Sequence, residues 1–197
     1  RIKSLLGKLP CRKGTILIHE GDLGDTLYIL LSGRVKVYCM DDHAREITFG
    51  VFGAGEYVGE MALDGGPRSA SVITLEPTVC AVVRRAEILA FIGQCPEFSF
   101  EMLSKMIHRL RLATRDVRNL AFIDVYGRLT RLLNELAVPM PDGRRQVAER
   151  ITHQEIASRA GCSREMVSRI LKDLSQGGYL AVEDHHLVLT GKLPQRW

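Results

Sequence analysis

The chain has 197 residues, 27 basic and 23 acidic side chains and a net charge of +4, which exceeds the usual domain of about 100–150 residues and favours two modest domains. No apolar run approaches the roughly 18 residues that a membrane span needs, and no apolar signal segment follows Arg1, so a soluble, cytoplasmic protein is expected. Cys11, Cys39, Cys80, Cys95 and Cys162 are odd in number and widely spread, without a CxxC or His-flanked pair, so reduced thiols are expected and no metal.

The charge is unevenly distributed. Residues 1–98 hold 11 Lys/Arg against 12 Asp/Glu, whereas residues 99–197 hold 16 against 11. A basic second half fits a polyanionic partner through phosphate contacts and counterion release, and it also fits an ordinary solvated helical surface.

Short β-rich runs recur at residues 15–19, 26–31, 34–40, 46–52, 70–75 and 78–83, separated by Gly-, Asp- and Pro-containing turns. This spacing predicts an antiparallel β-roll over residues 1–95. A short helix is expected at residues 86–92, and Pro96 suits the first turn of a long helix over residues 96–122. Leu103, Met106, Leu110, Ala113, Val117 and Leu120 then repeat at 3,4,3,4,3. Such a heptad seam fits a dimer helix, the alternative being an amphipathic helix packed on its own domain.

A hinge is expected at residues 122–124, beginning a second domain at 123–197. Asp124 can cap a helix running through Leu129, Leu132, Leu133 and Leu136 to Val138. Residues 139–143 form a turn, and residues 144–150 read as a polar connector.

Thr152-His153-Gln154-Glu155 has the form of a capping box, in which Thr152 and Glu155 satisfy each other's backbone amides at a helix start. Gly161-Cys162 makes a tight turn, and Ser163 can cap a second helix. Val167, Ile170, Leu171 and Leu174 give that helix one apolar face, with Arg164, Glu165, Ser168, Arg169 and Lys172 opposite. A helix-turn-helix works by this division: one side is buried while the other offers donors and acceptors to the major groove. Arginine can bond guanine O6 and N7 together, and glutamate can accept from cytosine N4. A solvated helix that reads nothing would explain the polar face alone, but not the capping box, glycine turn and second cap at this spacing. Residues 180–182 and 187–189 flank residues 183–186 as a small β-hairpin wing.

The segments Asn119-Leu120-Ala121-Phe122-Ile123-Asp124-Val125, Thr152-His153-Gln154-Glu155-Ile156 and Gly161-Cys162-Ser163-Arg164-Glu165-Met166-Val167 carry a family resemblance. They resemble the hinge and helix-turn-helix of the cyclic AMP receptor protein branch of the bacterial receptor-protein and fumarate-nitrate regulator superfamily. The resemblance implies an α+β fold: an antiparallel β-roll that binds cyclic nucleotide, a long dimerisation helix and a winged helix-turn-helix. It also implies a homodimeric transcription regulator in which Arg164, Glu165 and Arg169 read a TGTGA-like half-site of double-stranded DNA. Thr152, His153, Gln154, Ser163, Ser168 and Lys172 complete the expected DNA-facing set. His153 and Met166 stand where close relatives often carry arginine and threonine, which implies fewer phosphate contacts.

Gly59-Glu60-Met61-Ala62-Leu63, followed after a short spacer by Arg68-Ser69, resembles the phosphate-binding cassette of cyclic nucleotide-binding domains. Its chemistry is readable in itself. Glycine admits the backbone close to an anion, a helix start points amides at it, and Arg68 supplies a charged fork. Ser69 adds a hydroxyl donor, and Glu60 can accept a ribose proton; a β-turn with a surface Arg–Glu pair is the plainer alternative. The resemblance adds Arg109 and Thr114 of the long helix as residues that close the pocket, Arg109 bracing Glu60. Ala113 stands where relatives selecting cyclic AMP carry threonine. The expected effector is cyclic AMP, with cyclic GMP, cyclic di-GMP or ligand-independent DNA binding as alternatives. Residues 140–145 are the candidate contact for RNA polymerase, by analogy. No nucleophile–base pair or paired carboxylates stand out, Ser69 and His108 reading as pocket and helix-surface residues, so an enzyme is not expected.

Overall fold

The computed structural model describes residues 7–194; the chain ends at Arg1 and Trp197, used above as domain limits, lie outside them. Compact packing divides the chain into two units, with the boundary between Ile107 and His108.

The first unit is built on two antiparallel four-stranded sheets. One runs in the order β1 (Lys8–Cys11), β8 (Thr78–Arg84), β3 (Thr26–Ser32), β6 (Tyr57–Val58). The other runs β2 (Ile16–Ile18), β7 (Ser71–Thr74), β4 (Val35–Met40), β5 (Glu46–Phe52). Alternation along the strands supplies a core from both sheets. Leu30, Val58 and Cys80 of the first meet Ile18, Val35 and Val72 of the second, all nearly or fully buried. The intervening positions of the first sheet are also covered. Leu27, Tyr57 and Val83 form a second cluster with Ile88 of α1 (Arg85–Gln94), joined by Phe98 and Met102 at the start of α2 (Glu97–Phe122). Burying one such side chain stabilises by roughly 1.5–3 kcal/mol.

The expected β-roll is therefore present, with two strands that periodicity did not reveal. β1 contains Pro10, tolerated because β1 pairs on one side only, with β8. β6 has two residues, too few to show alternation. Pro96 lies immediately before α2 rather than within its first turn.

The second unit packs α3 (Val125–Leu136), α4 (His153–Ala160) and α5 (Arg164–Gln176) around Leu129, Leu133, Ile156, Val167, Leu171 and Leu174. A four-stranded sheet lies in the order β11 (Leu180–Glu183), β12 (His186–Leu189), β10 (Arg145–Val147), β9 (Ala137–Pro139). Asp124 caps α3 as expected, its carboxylate accepting from the Gly127 amide at 2.7 Å. Two expectations fail at the far end of α3. The helix stops at Leu136, so Val138 is in a strand, and the supposed connector contains β10, with Ala137 opposite Val147 and Pro139 opposite Arg145. Pro139 restricts Val138 to extended backbone, which favours the hairpin over another helical turn. The wing is longer than expected, because Glu183 and His186 pair and leave only Asp184 and His185 in the turn. Both turn residues have positive φ, +48° and +67°, as a two-residue turn matched to strand twist requires.

Candidate functional site

The loop after β6 forms a cradle. Gly59 has φ +89°, and a Cβ placed there would lie 2.9 Å from Arg68 Nη1 and 3.0 Å from the Thr26 carbonyl oxygen. Glycine is thus demanded both by backbone conformation and by close approach. Residues Glu60–Asp64 follow as a single 3-10 turn. Arg68 is held at the backbone by its amide donating to Asp22 and its carbonyl accepting from Gly21, each at 2.8 Å.

Arg68 is 7% exposed. Nη1 donates to the Gly59 carbonyl at 2.8 Å and Nη2 to Thr26 Oγ1 at 2.9 Å. Both acceptors are neutral, and among the described residues no carboxylate forms an ion pair with it. A guanidinium taken out of water without a counter-charge is costly, and its unused N–H groups suit an anion. Gly59 and Arg68 are therefore brought together. Ser69 is exposed and its Oγ lies 3.1 Å from Met61 Sδ, so those two neighbour one another at the rim; Glu60 is half-buried. Sequence reasoning missed Thr26, whose hydroxyl fixes one arm of Arg68 from 42 residues away. No local pattern announces such a partner.

Of the residues expected from the long helix, Arg109 is half-buried, and Ala113 and Thr114 are exposed. Thr114 Oγ1 donates back to the Leu110 carbonyl at 2.9 Å, a common arrangement for a helical threonine. No residue of α2 is buried. The seam leaves Leu103, Leu110, Val117 and Leu120 at 53–67% exposed, which is much apolar surface for an unpartnered helix.

The reading motif has the expected local construction. Thr152 N donates to Glu155 Oε2 at 2.7 Å, and Glu155 N donates to Thr152 Oγ1 at 3.2 Å, closing the capping box. Gly161 takes φ +63°, the left-handed conformation that ends α4. Ser163 caps α5, its hydroxyl oxygen accepting from the Met166 amide at 3.2 Å. Val167, Ile170, Leu171 and Leu174 are buried, while Arg164, Glu165, Arg169 and Lys172 are exposed on the other side, and Gln154 is exposed on α4. The backbone amide of Glu165 and the Ser163 hydroxyl hold the Glu165 carboxyl below the usual range, keeping it an ionised acceptor.

Ser168 differs from its exposed neighbours. Its hydroxyl donates to the Arg164 carbonyl at 3.0 Å and lies 2.8 Å from His153 Nδ1. With the Ser168 proton so used, the second bond requires Nδ1–H on His153, which ties α4 to α5.

Among the described residues no cluster of His, Cys, Asp and Glu could hold a metal ion, and no helix is long and apolar enough to cross a membrane. Residues 8–95 match the cyclic nucleotide-binding domain family, and residues 127–191 match the Crp-like helix-turn-helix domain family. The chain is 36% identical over 189 residues to the cAMP-activated global transcriptional regulator Vfr of Pseudomonas aeruginosa, covering 91% of this chain and 86% of Vfr. It is 35% identical over 193 residues to the cAMP-activated regulator CRP of Haemophilus influenzae, covering 94% and 84%. The solved structure of CLP, the c-di-GMP responsive global regulator of Xanthomonas campestris, superposes with a TM-score of 0.85 at 30% identity over 96% of both chains. A β-roll, a long helix and a winged helix-turn-helix, with relatives of this kind across nearly the whole chain, place the protein in the CRP/FNR family of DNA-binding transcription regulators.

Proposed function

We propose that the chain acts in the cytoplasm as a homodimeric transcription regulator, not an enzyme, whose affinity for a TGTGA-like palindrome rises when cyclic AMP occupies the cradle. The observation that carries the ligand half of this reading is Arg68, a buried cation whose side chain, among the described residues, is bonded only to neutral oxygens. The cyclic phosphate supplies the missing negative charge, Arg68 and Ser69 donate to it, and Glu60 accepts from the ribose. Arg109 and Thr114 close over the nucleotide, and Ala113 leaves one hydroxyl fewer toward the base. The cAMP-activated relatives Vfr and CRP support that effector.

On DNA, Arg164, Glu165 and Arg169 take base edges. Thr152, His153, Gln154, Ser163 and Lys172 face the backbone, and Ser168 acts by holding His153. The exposed seam of α2 joins two copies, and ligand binding shifts the population toward the arrangement that presents both reading helices. Residues 140–145 span the β9–β10 turn and the first residue of β10, where RNA polymerase makes contact in an activating complex.

A second reading, in which cyclic di-GMP is the effector, is favoured by CLP and by Ala113. Calorimetric titration with cyclic AMP, cyclic GMP and cyclic di-GMP, paired with DNA-shift assays on the palindrome, separates the two. Cyclic AMP should bind and strengthen the shift; heat from cyclic di-GMP alone would transfer the site to the second reading. Silence from all three, with DNA binding unaltered by any, would remove the sensor.

A further inference from the structure

Arg128, on the first turn of α3, makes three hydrogen bonds to backbone carbonyls from two separate places. Nη1 donates to Ile123 at 2.8 Å, just past the end of α2. Nε donates to Ala160 at 2.9 Å and Nη2 to Gly161 at 3.1 Å, at the C-terminus of α4. Those carbonyls are the ones an ending helix leaves without an internal partner, and they carry its partial negative charge, so a planar cation is well matched to them. Gly161, one of the two acceptors at the end of α4, stands two residues before Ser163, the cap of the reading helix.

The same end of α2 reaches the turn a second way. A Cβ on Gly161 would stand 3.2 Å from Leu120 Cδ2, so the last seam residue lies against the turn itself. Two further ties from this stretch reach α3: Arg131 Nη1 donates to Asn119 Oδ1 at 3.0 Å, and Arg115 lies 4.0 Å from Glu135. Among the described residues, Arg128 thus hydrogen-bonds both the residue that follows α2 and the C-terminal carbonyls of α4, which lead into the turn before the reading helix.

We infer that Arg128 is a positioning residue for DNA recognition: it fixes the reading helix to the end of α2, so that two copies joined along that helix present their reading surfaces in register with two half-sites. It touches no base and contributes through geometry alone. A rigid link between two binding modules sets the effective concentration of the second contact, and a loosened link loses that advantage without changing either contact. The inference rests on the dimeric, palindrome-reading function proposed above.

The test uses the full chain and two DNA duplexes, a TGTGA palindrome and a single half-site in neutral flanks, with saturating cyclic AMP. Wild type should favour the palindrome by on the order of 10²-fold. Arg128→Met should lower that preference by about tenfold or more, tolerate an altered half-site spacing better, and leave half-site affinity nearly unchanged. Arg128→Lys keeps the charge at the end of α4 but not the fork, so it should lie between the two; it decides the matter by the same ratio if the Met variant fails to fold. A parallel fall on both duplexes would mean a purely structural role and overturn the inference, as would an unchanged preference. A wild-type chain that treats the two duplexes alike would remove the dimeric reading, and the inference with it.

Discussion

The cradle and the reading surface hold their charges in opposite ways. Arg68 is 7% exposed and bonded to two neutral oxygens, whereas Arg164, Glu165, Arg169 and Lys172 stand in solvent along one face of α5. A buried cation interacts through a few strong contacts that salt screens little, and exposed charges through several weaker contacts that salt screens well. The cradle should therefore fail all at once, and the reading surface by degrees.

The sharpest break is expected at Arg68. Arg68→Ala should abolish nucleotide binding in calorimetry while leaving the melting transition near that of wild type. Two charge-assisted bonds to phosphate, each about 1.5–3 kcal/mol, put the loss on the order of 10²-fold or more. Retained affinity would show that the guanidinium is not the anion's partner. Gly59→Ala comes next, because its side chain meets Arg68 at a φ that L residues rarely adopt. It should cost about 1–3 kcal/mol of stability, read as a lower urea midpoint, and weaken nucleotide binding as well.

On the reading surface, Arg169→Ala should cost about 1–3 kcal/mol on the palindrome and relax preference at one base pair per half-site. Equal losses on every sequence would reassign Arg169 to the backbone. The smallest effect is expected at Lys172. Lys172→Ala should weaken all duplexes alike and reduce the slope of log affinity against log salt by about 0.9 for each copy bound. Nucleotide affinity should stay nearly flat over the same salt range, which would sharpen the contrast between the two surfaces.

The contrast also explains what could be read in advance. The reading head is assembled from partners three residues apart, Thr152 with Glu155 and Ser163 with Met166, so its helices and exposed face were visible in the chain order. Gly59 and Arg68 were visible as a motif, but Thr26, which orients Arg68, was not, because its distance along the chain leaves no local trace. Arg128 was hidden for the same reason, since two of its three acceptors lie 32 and 33 residues away. β9 and β10 were missed because each is too short for a period, and residues 144–150 are mostly polar whether paired or not. Local capping chemistry is written in the sequence, and long-range satisfaction of a single polar group is not.

Occupancy of the cradle is proposed to control the reading helix. The most direct test is the affinity of the full chain for the palindrome, measured by fluorescence anisotropy at fixed salt with and without saturating cyclic AMP. The predicted result is tighter binding with ligand, by a coupling of about 1–3 kcal/mol, and loss of that gain in Arg68→Ala. Equal affinity in the two conditions, from protein shown by calorimetry to have bound the nucleotide, would contradict it.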